Sequence, residues 1–167
     1  MNHLVLGGAR SGKSRYAEKL AADHNLPVTY VATAQIYDQE MQARVDQHQL
    51  DRPSHWTTVE VPIDLGYAVR QFRQPGHVLL VDCLTLWMMN VLDEDQLTGS
   101  VNNLLQALEE TQGPIAMVSN EITMGVVPMG ELSRRFVDEL GRLHQSIASQ
   151  ADQVTLMVAG LPMPVKS

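Results

Sequence analysis

Residues Gly7 to Ser14 read G-G-A-R-S-G-K-S, and this run satisfies G-x-x-x-x-G-K-S, a pattern whose chemistry is the holding of a polyphosphate. Glycine lets the backbone curl until successive N–H groups point inward at phosphate oxygens. A helix starting at the lysine then adds the positive end of its dipole. Gly7, Gly8, Ala9, Arg10, Ser11, Gly12, Lys13 and Ser14 are therefore assigned to nucleotide binding. Lys13 is positioned to reach the outer phosphates and counts as catalytic, and the Ser14 hydroxyl is a ligand for Mg²⁺. A second metal ligand is expected at the end of another strand. Val78-Leu79-Leu80-Val81-Asp82 supplies an apolar run ending in a carboxylate, so Asp82 is read as that ligand and as a nucleotide-binding residue. The plainer role for such an aspartate is an N-cap of the next helix.

A second cluster lies between Asp38 and Trp56. Read as a helix to about Leu50, this stretch sets Arg44 and His48 four residues apart, one turn above the other, with Arg52 just beyond and Pro53 ending the helix. Two arginines around an imidazole suit an anion brought up to a nucleophile, because like charge helps keep the imidazole neutral. On spacing alone, an ordinary surface histidine is the commoner reading. Thr33, Ala34 and Gln35 follow an apolar run and so face the ligand side of a parallel sheet, while Glu60 in T-T-V-E reads as a nucleotide contact or an exposed strand-edge residue. Asn120 and Glu121 follow another run and lead into a long loop with Gly125 and Pro128. That loop is a candidate wall for a large substrate. The remaining histidines, His144 beside the Leu143 stripe among them, read as ordinary packing residues.

The elements that must position these groups are visible as short, nearly continuous apolar runs: His3 to Leu6, Val28 to Ala32, Val78 to Val81, Ile115 to Ser119 and Val154 to Ala159. Runs of this kind suit strands covered on both faces. Helical patterns fall between them, from about Lys13 to His24, Asp38 to Leu50, Asp64 to Phe72, Leu84 to Val91 and Val101 to Glu110. The clearest is Leu132, Phe136, Leu140, Leu143 and Ile147, one apolar stripe opposite Arg134, Arg135 and Asp138. The alternation predicts an α/β fold with a mostly parallel sheet wrapped by helices and ligands at the carboxyl ends of the strands. Strand order is not readable from the sequence.

The chain has 167 residues, which predicts a single domain over 1–167. Its formal charge of -7 disfavours nucleic-acid partners, which need a basic face. The first residues enter a strand without a basic leader, and no run of about 18 apolar residues occurs, so a soluble, cytoplasmic protein without a membrane span is expected. The single cysteine, Cys83, follows an apolar strand and reads as a passive buried thiol.

Six segments together resemble the adenosylcobinamide kinase / adenosylcobinamide-phosphate guanylyltransferase family of cobalamin biosynthesis. They are GGARSGKS, Y-V-A-T-A-Q at 30–35, D-x-E-M-x-x-R-V-x-x-H from Asp38 to His48, R-P-x-H-W at 52–56, V-D-C-L-T at 81–85 and N-E-x-x-M-G-V-V-P at 120–128. The resemblance spans essentially the whole chain. It implies a P-loop NTPase of the RecA-like type, a three-layer sandwich, acting on adenosylcobinamide with ATP or GTP and then moving GMP from GTP onto the phosphate. It also implies a homotrimer, and a histidine that carries GMP; the matching residue is His48, preceded here by Gln47. A chain keeping only one activity remains a competing reading. So does a nucleotide-dependent switch, although the guanine-reading N-K-x-D of such switches is missing.

Overall fold

The computed structural model describes residues 1–35, 39, 42 and 53–167. Seven strands form one sheet: β1 (Asn2–Gly7), β2 (Val28–Ala32), β3 (Thr57–Glu60), β4 (Val78–Asp82), β5 (Ile115–Asn120), β6 (Gln153–Val158) and β7 (Leu161–Lys166). Their order is β3-β2-β4-β5-β1-β6-β7. All neighbours run parallel except β6 and β7, which form an antiparallel hairpin. The helices among the described residues are α1 (Lys13–Asp23), α2 (Leu65–Phe72), α3 (Leu84–Val91), α4 (Glu94–Glu110) and α5 (Glu131–Gln150). None is long and apolar enough to cross a membrane. Of the helix expected from Asp38 to Leu50, only Gln39 and Gln42 are described, and both are helical.

Alternate residues of each central strand enter different cores, because a strand's side chains switch faces at every step. Leu4, Val31, Leu79, Val81, Ile115 and Met117 join Leu65, Trp87, Leu104, Leu140 and Ile147 from α2 to α5. Val5, Tyr30, Leu80, Ala116 and Val118 instead meet Ala17 and Ala21 of α1. A sheet buried on both faces explains why its strands read as continuous apolar runs. Each fully buried leucine contributes about 1.5–3 kcal/mol.

Local chemistry sets the helix boundaries. Asp64 Oδ1 accepts the Tyr67 N–H at 3.0 Å and caps α2. Asp93 Oδ1 does the same for the Asp95 N–H at 3.0 Å. That cap starts α4 at Glu94, ahead of the expected Val101. Arg73 is buried where α2 ends: it donates to the carbonyls of Gly113 and Leu108, each at 3.0 Å, and to Asn2 Oδ1. Burial pushes its guanidinium below the usual value, and the Asp152 charge opposes that. It thereby satisfies a carbonyl left open in the last turn of α4 and ties the helix to the start of β1.

Two strands differ from the sequence expectation. β3 is a short edge strand with exposed residues, and β7, Leu-Pro-Met-Pro-Val-Lys, is exposed throughout. Proline cannot donate to a ladder, which masks a strand in the sequence yet suits an edge. The run expected to reach Ala159 ends at Val158, because Ala159 turns the hairpin at φ 51°.

Candidate functional site

The phosphate loop leaves β1 at Gly7 and enters α1 at Lys13. Gly12 caps the helix at φ 88°, in the left-handed region that an L side chain occupies at a cost of about 1–2 kcal/mol. Gly7 is required for a different reason: a Cβ there would lie 2.4 Å from Ser11 Oγ and 3.1 Å from the Met157 carbonyl oxygen. Lys13 Nζ folds back to donate to the Gly8 carbonyl at 3.1 Å. The Ser11 Oγ is buried without a hydrogen-bond partner. Gly8, Ala9 and Arg10 are exposed, and no atom lies within 4 Å of a Cβ built at Gly8, so the loop has open space over its rim. Two backbone bonds anchor it: Glu121 N–H to the Gly7 carbonyl at 3.0 Å, and Gly160 N–H to the Ser11 carbonyl at 3.1 Å.

Register brings the other predicted residues to the same end of the sheet. Ala32 aligns with both Glu60 and Asp82, Asp82 aligns with Val118, and Gly7 aligns with Asn120. β5 and β4 lie between β1 and β2, so the segments that follow all four strands leave from one end of the sheet, the end at which open α/β sheets bind their ligands. Asp82 is half-buried, and one of its oxygens, Oδ2, accepts the Tyr30 hydroxyl at 3.0 Å. Ser14, in the first turn of α1, and Asp82, at the end of β4, each carry only oxygen donors, the kind that could serve Mg²⁺, which takes few protein ligands and keeps phosphate and water oxygens for the rest. No cluster of three or more His, Cys, Asp or Glu able to hold a metal occurs among the described residues.

Thr33 is fully buried: its hydroxyl donates to the Cys83 carbonyl at 2.7 Å and accepts the Cys83 N–H at 2.9 Å. Its carbonyl accepts Asn90 Nδ2 at 2.8 Å, and the same nitrogen reaches the Pro62 carbonyl at 2.9 Å. These bonds clamp the turns after β2 and β3 onto α3, leaving Ala34 and Gln35 half-buried just after β2 and Glu60 exposed at the end of the edge strand β3. Cys83 is buried; burial first, then the neighbouring Asp82 charge, pushes its thiol up to about 11. It is inert packing. Arg44, His48 and Arg52 lie outside the described residues.

A group of polar side chains that sequence reasoning passed over lies behind the loop. The Asn120 N–H donates to Thr85 Oγ1 at 2.7 Å, Thr85 Oγ1 meets Ser119 Oγ at 3.1 Å, and Ser119 Oγ meets His144 Nε2 at 2.7 Å. His144 Nδ1 faces Glu121 Oε2 at 3.9 Å. Thr85, Ser119 and His144 are all buried. Burial holds the imidazole below its usual value, with the Glu121 charge opposing. Serine at the penultimate position of β5 was the available signal.

A family model described as cobinamide kinase / cobinamide phosphate guanyltransferase matches residues 3–165. The bifunctional adenosylcobalamin biosynthesis protein CobP of Pseudomonas aeruginosa is 54% identical over 169 residues, spanning 99% of this chain and 98% of that protein. CobU of Escherichia coli, of the same descriptive name, is 37% identical over 179 residues, 98% of each chain. Among solved structures, the RadB recombinase superposes with a TM-score of 0.55 at 14% identity, covering 93% of this chain and 73% of that one. That likeness shows the fold alone, a RecA-like α/β fold with its phosphate loop after the first strand. With a family match across nearly its whole length and a P-loop joined to its sheet in the manner described, the chain belongs to the cobinamide kinase / cobinamide phosphate guanyltransferase family.

Proposed function

We propose that this chain, as one domain, phosphorylates the aminopropanol hydroxyl of adenosylcobinamide with ATP or GTP and then transfers GMP from GTP to that phosphate, releasing pyrophosphate. The observation that carries this reading is the phosphate loop at Gly7–Ser14 set beside Asp82 across β5, in a chain of this family. The loop amides and Lys13 grip the polyphosphate, and Lys13 exchanges its bond to the Gly8 carbonyl for phosphate oxygens. Ser14 and Asp82 would hold a Mg²⁺ ion, which would neutralise phosphate charge when bound. Gly7 to Gly12, Ala34, Gln35 and Glu60 contact the nucleotide, with Thr33 anchoring the turn that carries Ala34 and Gln35.

For the second step, neutral His48 attacks the α-phosphorus, pyrophosphate leaves, and the corrinoid phosphate takes GMP from the imidazole. Arg44 and Arg52 bind the transferring and leaving groups. The loop from Ile122 to Gly130 exposes Met124, Val126, Val127 and Met129, an apolar surface suited to a corrinoid or to a neighbouring subunit of a homotrimer. We place the protein in the cytoplasm. Incubation with α-labelled GTP and Mg²⁺ tests the reading: acid-labile, base-stable label should remain on the denatured protein and vanish in His48→Ala. Label retained by that variant would exclude His48 as the nucleophile.

A further inference from the structure

The kinase step needs an acceptor for the hydroxyl proton, and three carboxylates stand at the strand ends among the described residues: Glu60, Asp82 and Glu121. Asp82 belongs to the metal. Glu60 ends β3, the outermost strand, with β2, β4 and β5 between it and β1. Glu121 follows β5, directly beside the phosphate loop, and its N–H is bonded to the Gly7 carbonyl at 3.0 Å.

Its side chain is held in a directed way. Oε1 accepts both the N–H and the hydroxyl of Thr123, each at 2.5 Å, and Oε2 faces His144. The chain of bonds behind it fits an imidazole with its proton on Nδ1. Thr85 Oγ1 accepts the Asn120 N–H and keeps its own proton for Ser119; with Ser119 in turn donating to His144 Nε2, every hydroxyl is used and the ring proton falls on Nδ1. The opposite order would aim a lone pair at a carboxylate 3.9 Å away. Thr123 is a neutral donor, His144 Nδ1 is buried without a hydrogen-bond partner and stops 3.9 Å short of the carboxylate, and the carboxylate is only 12% exposed. Burying a charge on neutral donors alone is costly, and an amide would serve as well for a purely structural tether.

We propose that Glu121 is the proton acceptor of the phosphoryl-transfer step and that His144 is its positioning residue; this rests on the kinase reading above. The substrate hydroxyl oxygen forms a bond to the γ-phosphorus while the bond from that phosphorus to the β,γ-bridging oxygen breaks, its electron pair leaving with the nucleoside diphosphate. The hydroxyl proton passes to the Glu121 carboxylate and then to water. Guanylyl transfer uses a phosphate nucleophile that carries no such proton, so it does not need Glu121.

The two steps can be assayed separately by supplying adenosylcobinamide or its phosphate. Glu121→Gln should lower kcat for γ-phosphoryl transfer about a hundredfold or more, with KM for adenosylcobinamide and GMP transfer to supplied adenosylcobinamide phosphate within about threefold of wild type. His144→Asn, which keeps an N–H near the Nδ1 position, should retain most of the kinase kcat, whereas His144→Leu loses it with KM unchanged. A kinase kcat near wild type in Glu121→Gln overturns the proposal, and so does an equal loss of both steps. Should Glu121→Gln fold poorly, the His144 pair decides: equal kinase rates in Asn and Leu variants overturn the assignment. Failure of the wild-type protein to phosphorylate adenosylcobinamide sinks the kinase reading instead.

Discussion

Tyr30 and Asp82 are joined across adjacent strands by a hydroxyl-to-carboxylate hydrogen bond of 3.0 Å, which fixes one oxygen of the carboxylate and so orients the other. A bond to a charged acceptor contributes about 1.5–3 kcal/mol. Tyr30→Phe keeps the ring in its core and removes only the donor. Activity at limiting Mg²⁺ should fall roughly tenfold, in line with the lower end of that range, and recover at high Mg²⁺. A titration of rate against Mg²⁺ checks this; an unchanged midpoint would remove Asp82 from the metal site.

Gly7→Ala introduces a Cβ 2.4 Å from Ser11 Oγ and against the Met157 backbone. The loop must open to accept it, so nucleotide affinity should fall at least tenfold while the fold survives. Calorimetric titration with GTP, alongside thermal unfolding, measures both.

Lys13→Ala and His48→Ala should separate the two steps. Loss of the lysine should abolish transfer of γ-label to adenosylcobinamide, because the group that stabilises charge on the outer phosphates is gone. Loss of the histidine should leave γ-transfer intact and eliminate covalent GMP. Normal γ-transfer by Lys13→Ala would contradict the loop's role.

Cys83 should resist alkylation in the folded protein. A rise from 9.0 to about 11 leaves roughly a hundredfold less thiolate near neutral pH, and the thiol is also buried. Because the native thiol holds its proton longer than the unfolded one, the stabilisation from this group is complete below pH 9 and lost as pH climbs toward about 11. Iodoacetamide labelling with and without denaturant reads the first effect, and urea melts at pH 8 and pH 10.5 read the second. Rapid native labelling would show that Cys83 opens to solvent.

What the sequence made legible follows from physics that is local. Gly12 and Lys13 announce a helix start, and Leu79 and Leu80 announce a two-faced strand, because backbone freedom and alternation act over a few residues. Leu161 to Lys166 stayed hidden because Pro162 and Pro164 mimic a loop. Thr98-Gly99-Ser100 likewise concealed the first two turns of α4, which its Asp93 cap and tertiary packing hold in place. Thr85, Ser119 and His144 come from three separate elements, and their alignment with Glu121 depends on strand order, which no single segment encodes. The fold class and the loop were therefore readable, while the network behind the loop was not. The segment with Arg44, His48 and Arg52 was legible by resemblance, and it lies outside the described residues.

The pairing of β1 has a bearing on how the molecule is made. Residues 2–7 enter the sheet only between β5 and β6, so their partners are residues 115–120 and 153–157. A ribosome delivers the phosphate loop well before those partners. Contacts so far apart in the chain close slowly, and exposed strand edges invite wrong pairings meanwhile. The frame that holds the phosphate loop is therefore complete only when β5 and β6 have closed on either side of β1, so the loop is finished by residues far from it in the chain.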